Sequence, residues 1–333
     1  MAYIITIDSG TSNTRMYLWD AQGSCVDSFR APVGVRNTAT EGSNRLLKTT
    51  VREGLNSLLE KNSSSFGDVE MIIAGGMITS NMGLYELPHV TAPAGRAALI
   101  RGIKAVLIQE VSPIPIHFVP GVKNPVFPVD EDHFEAMDIM RGEEIETMAV
   151  LDSLEKGVPY LLIHPGSHTK FVAVDPDGMI TGCLTTLTGE LLSCVTEHTI
   201  LADAVAKSYV SSDTYEKDLV IRGYETAKKV GFGRAAFSAR ILNQFTAKKP
   251  SQIANFLLGA VLCQDLTALA HSAAMTLPKG IRIVVCGNSS IGRALGDILD
   301  REGTYGQVRR AEQGEIPLSA AGAYSLAREF LRK

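Results

Sequence analysis

The chain has 333 residues, 45% of them hydrophobic and 20% charged, with a formal net charge of −4 and a pI near 6.0. That length exceeds what one hydrophobic core usually supports and points to two domains. The charge balance and the lack of any basic cluster beyond short pairs such as Lys248-Lys249 and Arg309-Arg310 argue against a nucleic-acid surface, and an anionic ligand would be held by amides and metal.

The first element is an apolar, β-branched run, Tyr3 to Ile7, that ends at Asp8 and turns through Ser9-Gly10-Thr11-Ser12-Asn13 into a return strand, Arg15 to Trp19. Such a turn exposes amides and hydroxyls, and Gly10 admits a bulky anion, so a phosphate tail fits there. Asp8 repels phosphate and is suited instead to hold a hydrated Mg²⁺ through water. An ordinary hairpin is the competing reading of the hexapeptide alone.

Val26 to Val35 supplies a third strand, and Asn44 to Leu59 has helical spacing that ends at the serine tract near Gly67. Val69 to Ala74 is a strand delivering Gly75 to Gly83, a second small-residue loop where open α/β sheets bind ligands. Arg96 to Leu107 reads as a helix, Ile116 to Val119 as a short strand and Asn124 to Asp132 as loop. Asp138 to Leu151 reads as a helix with an acidic first turn, as the helix dipole favours.

Lys156 to Pro159 is the predicted linker, dividing residues 1–155 from 158–333. Beyond it the opening pattern returns: strand Tyr160 to Ile163, turn His164 to Lys170, return strand Phe171 to Asp175. Thr188-Gly189-Glu190 leads a helix, residues 209–244 are helical with loops, and Ile253 to Ala274 is a long helix. It carries Asn255, Gln264, Asp265 and His271 and is too polar for a bilayer. Ile281 to Cys286 is a buried strand feeding Gly287-Asn288-Ser289-Ser290, with a helix from Arg293 to Arg301, a short strand closing at Val308 and a terminal helix from Ser319 to Leu331. The five cysteines show no CxxC spacing, which fits buried thiols in a reducing compartment, and no secretory signal is read at the start. A cytoplasmic location without a membrane partner is expected, and a homo-oligomer is left open.

Two phosphate turns plus a late Gly-Ser loop predict a three-part nucleotide site. Neither GxxxxGK[ST] nor a strand-borne GxGxxG is present, so a P-loop or Rossmann site is unsupported. The order DSGTSNTR (8–15), AGGMITSNMG (74–83), MRGEE (140–144), HPGSHTKF (164–171), TGEL (188–191) and a final Gly-Asn-Ser-Ser resembles the 2-dehydro-3-deoxygalactonokinases, of the actin, sugar kinase and Hsp70 superfamily. The resemblance covers nearly the whole chain and implies an α/β fold of two ribonuclease H-like lobes around a nucleotide cleft. It implies ATP- and Mg²⁺-dependent phosphorylation of 2-dehydro-3-deoxy-D-galactonate at its terminal hydroxyl. Its pattern departs at the lone Gly287 followed by Asn288, where two small residues are expected.

Sugar kinases of this superfamily place their proton-accepting carboxylate at the start of the helix before the second turn, which is Glu143 or Glu144 here, with Glu143 preferred. Gly166, Ser167, His168 and Lys170 join the first turn on the nucleotide, with Gly287, Asn288 and Ser289 toward the nucleoside. Arg141 is suited to a bidentate pair with a substrate carboxylate, Arg15 being the alternative. Ser80, Asn81, Met82, Gly83 and Glu190 complete the predicted substrate set. Two rivals remain: a kinase for another sugar or 2-keto-3-deoxy acid, and an Hsp70- or actin-like nucleotide switch.

Overall fold

A computed structural model describes residues 2–311 and 314–332. The first half runs β1 (Tyr3–Ser9), β2 (Thr14–Trp19), β3 (Cys25–Ala31), α1 (Val35–Glu41), α2 (Arg45–Lys61), β4 (Val69–Gly76), β5 (Val90–Thr91), α3 (Arg96–Gly102), β6 (Lys104–Val106), β7 (Ile116–Phe118), β8 (Val122–Lys123), β9 (Ile139–Met140) and α4 (Glu143–Leu151). The second runs β10 (Tyr160–His164), β11 (Thr169–Val174), β12 (Ile180–Thr186), α5 (Thr188–Glu197), α6 (Leu201–Ala204), α7 (Lys217–Val230), α8 (Phe232–Phe245), α9 (Pro250–His271), β13 (Arg282–Val285), α10 (Ser290–Glu302), β14 (Val308–Arg310) and α11 (Leu318–Phe330).

The strands form a six-stranded sheet, β3-β2-β1-β4-β7-β6, and a five-stranded sheet, β12-β11-β10-β13-β14. In the first, β1 is antiparallel to β2 and parallel to β4; in the second, β10 is antiparallel to β11 and parallel to β13. The outer partners repeat the same directions, so the second sheet copies the first five strands of the first. The repeat of strand, turn and strand seen along the chain is therefore a repeat of whole sheets.

Both central strands are mainly apolar because both of their faces are covered. On β10, Leu161 and Ile163 enter a core shared with α5 to α10, while Tyr160 and Leu162 enter the core between the two sheets. On β1, Ile5 and Ile7 pack toward α2 and Ile4 toward that same central core. The central layer also holds Met148 of α4 and Ala323 and Leu326 of α11. The terminal helix thus returns to the first sheet: Gly322 lies against Ile145 so closely that a Cβ would overlap its carbonyl. In the second half, α7 and α9 meet at Gly223 and Gly259, each set against the other helix's backbone. Among the described residues one helix, Pro250–His271, is long and apolar enough to cross a membrane, and it is mostly buried in this packing.

Several elements differ from the sequence reading. The third strand stops at Ala31, and Val35 begins a helix. The helix from Arg96 ends at Gly102, a glycine whose Cβ would lie 2.6 Å from Pro120 Cγ, and an edge strand follows it. The stretch Asp138 to Leu151 is two elements, because Ile139–Met140 pairs with β8 and Gly142 takes φ +114, outside helical space. Ile180–Thr186, not read as a strand, completes the second sheet.

Candidate active site

The two turns face each other. A cleft of about 670 Å³ is lined on one side by Asp8, Gly10, Thr11, Ser12 and Asn13 and on the other by Pro165, Gly166, Ser167 and His168. Each turn is propped from behind by backbone amides at a glycine. Gly34 lets Val35 N reach Gly10 O (3.2 Å) and Arg36 N reach Thr11 O (2.9 Å). A Cβ at Gly34 would lie 2.5 Å from Gly10 O. Gly189 N and Glu190 N donate to Ser167 O (2.9 and 3.1 Å), and a Cβ at Gly189 would lie 2.6 Å from Ser167 Cα. The TGEL motif is therefore the brace of the second turn. Beneath it, Thr188 Oγ1 donates to buried Asp265 Oδ2 at 2.6 Å. Burial raises Asp265 to about 6, opposed by its hydroxyl partners Thr188 and Thr186.

Four carboxylates line the cleft, Asp8, Glu86, Glu143 and Glu146, and the charges of Glu143 and Glu146 act on Asp8 while Glu86 acts on Arg141. Asp8 Oδ2 accepts from Ser319 Oγ at 2.9 Å and meets Arg15 at 3.5 Å. Desolvation, then the charge of Glu146, lifts Asp8 to about 6 despite Ser319 and Arg15. Glu143 Oε2 is buried with no hydrogen-bond partner among the described residues. Its pKa is raised, chiefly by desolvation, with Lys170 opposing and Glu146 adding to the rise.

Glu144, one residue on, points the other way. It is fully buried, both its oxygens accept from Gly142 N (3.0 and 2.8 Å), and burial followed by the Glu143 charge raises it to about 8. That position makes it a helix-start cap rather than a group facing the cleft, the 100° between neighbours on a helix allowing only one to face inward.

Glu146 was not singled out in the sequence. One helical turn after Glu143, it accepts from His164 Nδ1 at 2.7 Å. Burial opposes a charged His164, but Cys286 and Glu146 outweigh it and raise the ring well above its ordinary pKa. The i, i+3 spacing of Glu143 and Glu146 was the available signal.

The remaining predicted residues divide. Ser80, Asn81 and Arg141 line the cleft, as do Arg15 and Lys170. Arg141 is anchored by donating to Thr79 Oγ1 and Leu87 O, both at 2.8 Å. Lys170 is buried, and its ammonium is taken up by Ile139 O (2.6 Å), the Thr185 hydroxyl and Asp138 (3.7 Å), so it ties β9 to the second sheet.

Ser9, Met82, Gly83, Glu144, Glu190, Gly287, Asn288 and Ser289 do not line the cleft. The Ser9 hydroxyl is buried against Thr14 at 2.9 Å, and Met82 packs on the core under the first sheet. Gly83 N donates to Ser80 O, closing a turn, while Gly83 O accepts from Asn44 Nδ2, and Glu190 pairs with His168 at 3.2 Å. Ser289 caps α10 by accepting from Gly292 N. Gly292 itself abuts Pro165, which sets the late loop beside the second turn.

Two like sheets facing across such a cleft define a two-lobed protein of the actin-like ATPase and sugar kinase fold. A crystal structure of a Sinorhizobium meliloti protein, itself only provisionally assigned as a 2-dehydro-3-deoxygalactonokinase, superposes with a TM-score of 0.74 at 24% identity, over 98% of this chain and 99% of that one. A reductive activator for a corrinoid, iron-sulfur protein shares the fold more loosely, with a TM-score of 0.50 at 11% identity over 99% of this chain and 62% of that one. The 2-keto-3-deoxy-galactonokinase family profile matches residues 8–319, and the chain belongs to that family. A curated relative, the probable 2-dehydro-3-deoxygalactonokinase DgoK1 of Rhizobium meliloti (strain 1021), is 29% identical over 206 residues. That match spans 62% of this chain and 60% of the relative's length.

Proposed function

We propose that the protein transfers the γ-phosphoryl group of ATP to the terminal hydroxyl of 2-dehydro-3-deoxy-D-galactonate, giving the 6-phosphate and ADP. The observation that carries this reading is Glu143: a carboxylate with one unpartnered oxygen, between two anion-binding turns and two residues from Arg141. In the reaction the terminal hydroxyl oxygen bonds to the γ-phosphorus, the bond from that phosphorus to the ADP oxygen breaks, and the hydroxyl proton passes to Glu143. A raised pKa suits a group that must accept that proton near neutral pH. The turns Gly10 to Asn13 and Gly166 to His168 hold the phosphates, and Arg141 holds the acceptor carboxylate. Residues 1–155 and 158–333 are the two lobes of this cytoplasmic enzyme, with α11 returned to the first.

The residues present fit Mg²⁺. No cluster of three His, Cys, Asp or Glu that could cage a metal occurs among the described residues, but Asp8 stands in an excess of negative charge with Glu143 and Glu146. Magnesium keeps most of its water and needs only one or two carboxylates beside substrate phosphates. Asp8 would hold it, and the ion would neutralise phosphate charge. Coupled measurement of ADP release across a panel of 2-keto-3-deoxy acids, neutral sugars and peptides tests the reading. Turnover that depends on the 2-keto-3-deoxy acid is the expected result; turnover indifferent to it, or raised by peptides, overturns the proposal.

A further inference from the structure

We propose that His89 is a specificity-determining residue that, with Arg141, reads the 2-oxo-acid head of the acceptor; the identity of that acceptor rests on the kinase reading above. The three-stranded sheet β5-β8-β9 carries the inference. Its register sets Val90 beside Val122 and Val122 beside Met140. Since β5 and β8 are parallel and β9 is antiparallel to β8, the next row at the cleft edge is His89, Gly121, Arg141. Val90 N donating to Gly121 O at 2.9 Å fixes that row.

The middle member has no side chain, and so the outer two meet over it. A Cβ at Gly121 would lie 2.9 Å from both Arg141 Cγ and His89 Cδ2. Arg141 Nη2 comes within 3.5 Å of His89 Nδ1. A guanidinium has only donors, so the nitrogen facing it presents its lone pair and the ring proton belongs on Nε2. Burial, then the charges of Arg141, Lys123 and Lys170, lowers His89 to about 4, which keeps the ring neutral. Nε2 is buried and has no partner among the described residues, although His89 and Arg141 both line the cleft.

A neutral N–H beside a guanidinium makes two donors of different strength in one row. A 2-oxo acid presents the matching acceptors on adjacent carbons: a carboxylate for the guanidinium and a planar ketone oxygen for the imidazole N–H. A 2-hydroxy acid has a tetrahedral carbon there, with its oxygen out of that plane, and leaves the buried N–H poorly paired.

Calorimetric binding without ATP separates the possibilities, using 2-dehydro-3-deoxygalactonate and its 2-hydroxy counterpart 3-deoxygalactonate as probes, with ADP release by the wild type recorded alongside. The wild type should favour the oxo acid by roughly 10- to 100-fold. His89→Leu should lose that preference by weakening the oxo acid alone, and His89→Gln, which carries an amide N–H toward the Nε2 position, should restore part of it with an unchanged Tm. If the wild type binds both acids alike, or His89→Leu weakens both equally, the His89 inference is overturned, while ADP release with the oxo acid leaves the kinase reading standing. Absence of both binding and turnover overturns the two together.

Discussion

The two turns of the cleft join equivalent strand pairs but differ in length by one residue and in the charge carried at the strand end. In the first, Asp8, next to last in its strand, lies opposite Arg15; in the second, His164 ends its strand opposite Lys170. Both turns rest on amides that follow or flank a glycine, Gly34 in one and Gly189 in the other. Where the first carries its own carboxylate, the second borrows one, since Glu146 reaches His164 from α4. A second carboxylate at a strand end, added to Asp8, Glu86, Glu143 and Glu146, would crowd five like charges into one cleft, and the histidine removes one of them. On the kinase reading proposed above, both turns would serve phosphate and only the first would serve the metal.

The largest expected effect falls on what the turns enclose rather than on the turns. Glu143→Gln should lower kcat by about 10²- to 10⁴-fold with little change in the KM for ATP, in the coupled ADP assay. The same substitution at Glu144, whose carboxyl caps its own helix, should leave kcat nearly intact.

Making the turns alike breaks the comparison directly. His164→Asp replaces the partner of Glu146 by a buried like charge, and chemical denaturation should show a loss of about 3–5 kcal/mol. Retained stability would mean that the His164–Glu146 pair does not hold the second turn.

Gly34→Ala and Gly189→Ala test the braces as a pair. Each adds a Cβ against turn backbone, and each should cost roughly 1–3 kcal/mol and raise the KM for ATP. An effect from one and not the other would show that the phosphates lean on a single turn.

The smallest effect is the share of the pH dependence of stability that Asp265 supplies beneath the second turn, beside the shares of Asp8 and Glu144. Asp265 is raised from 3.8 to about 6 in the folded chain, so its stabilising contribution is full below the unfolded value and is lost as pH rises through about 6. Asp265→Asn should remove on the order of 2 kcal/mol of that slope, read as a flatter Tm against pH.

The strand-turn-strand repeats were legible because they are local: an apolar run, a small-residue turn and a second run declare themselves within seventeen residues at Ile4 to Asp20. The pair Glu143 and Glu144 was legible only through the family resemblance, because the helix was read from Asp138 whereas it starts at Glu143. Lys170 was less so, because its backbone neighbours do not reveal that Ile139 and Thr185 occupy its ammonium. The strands β5, β8 and β9 were illegible, being two residues long and paired as strands with one another.

Taken alone, the amino-acid order determined the two apolar hairpins, the glycines that turn them, and the motif series that places the chain in its family. Only the tertiary structure decided which adjacent glutamate faces the cleft, that Glu146 pairs with His164, and that His89 meets Arg141 over Gly121. The reason is physical: periodicity and turn chemistry act over a few residues, whereas these pairings depend on strand register and helix rotation between segments up to 52 residues apart.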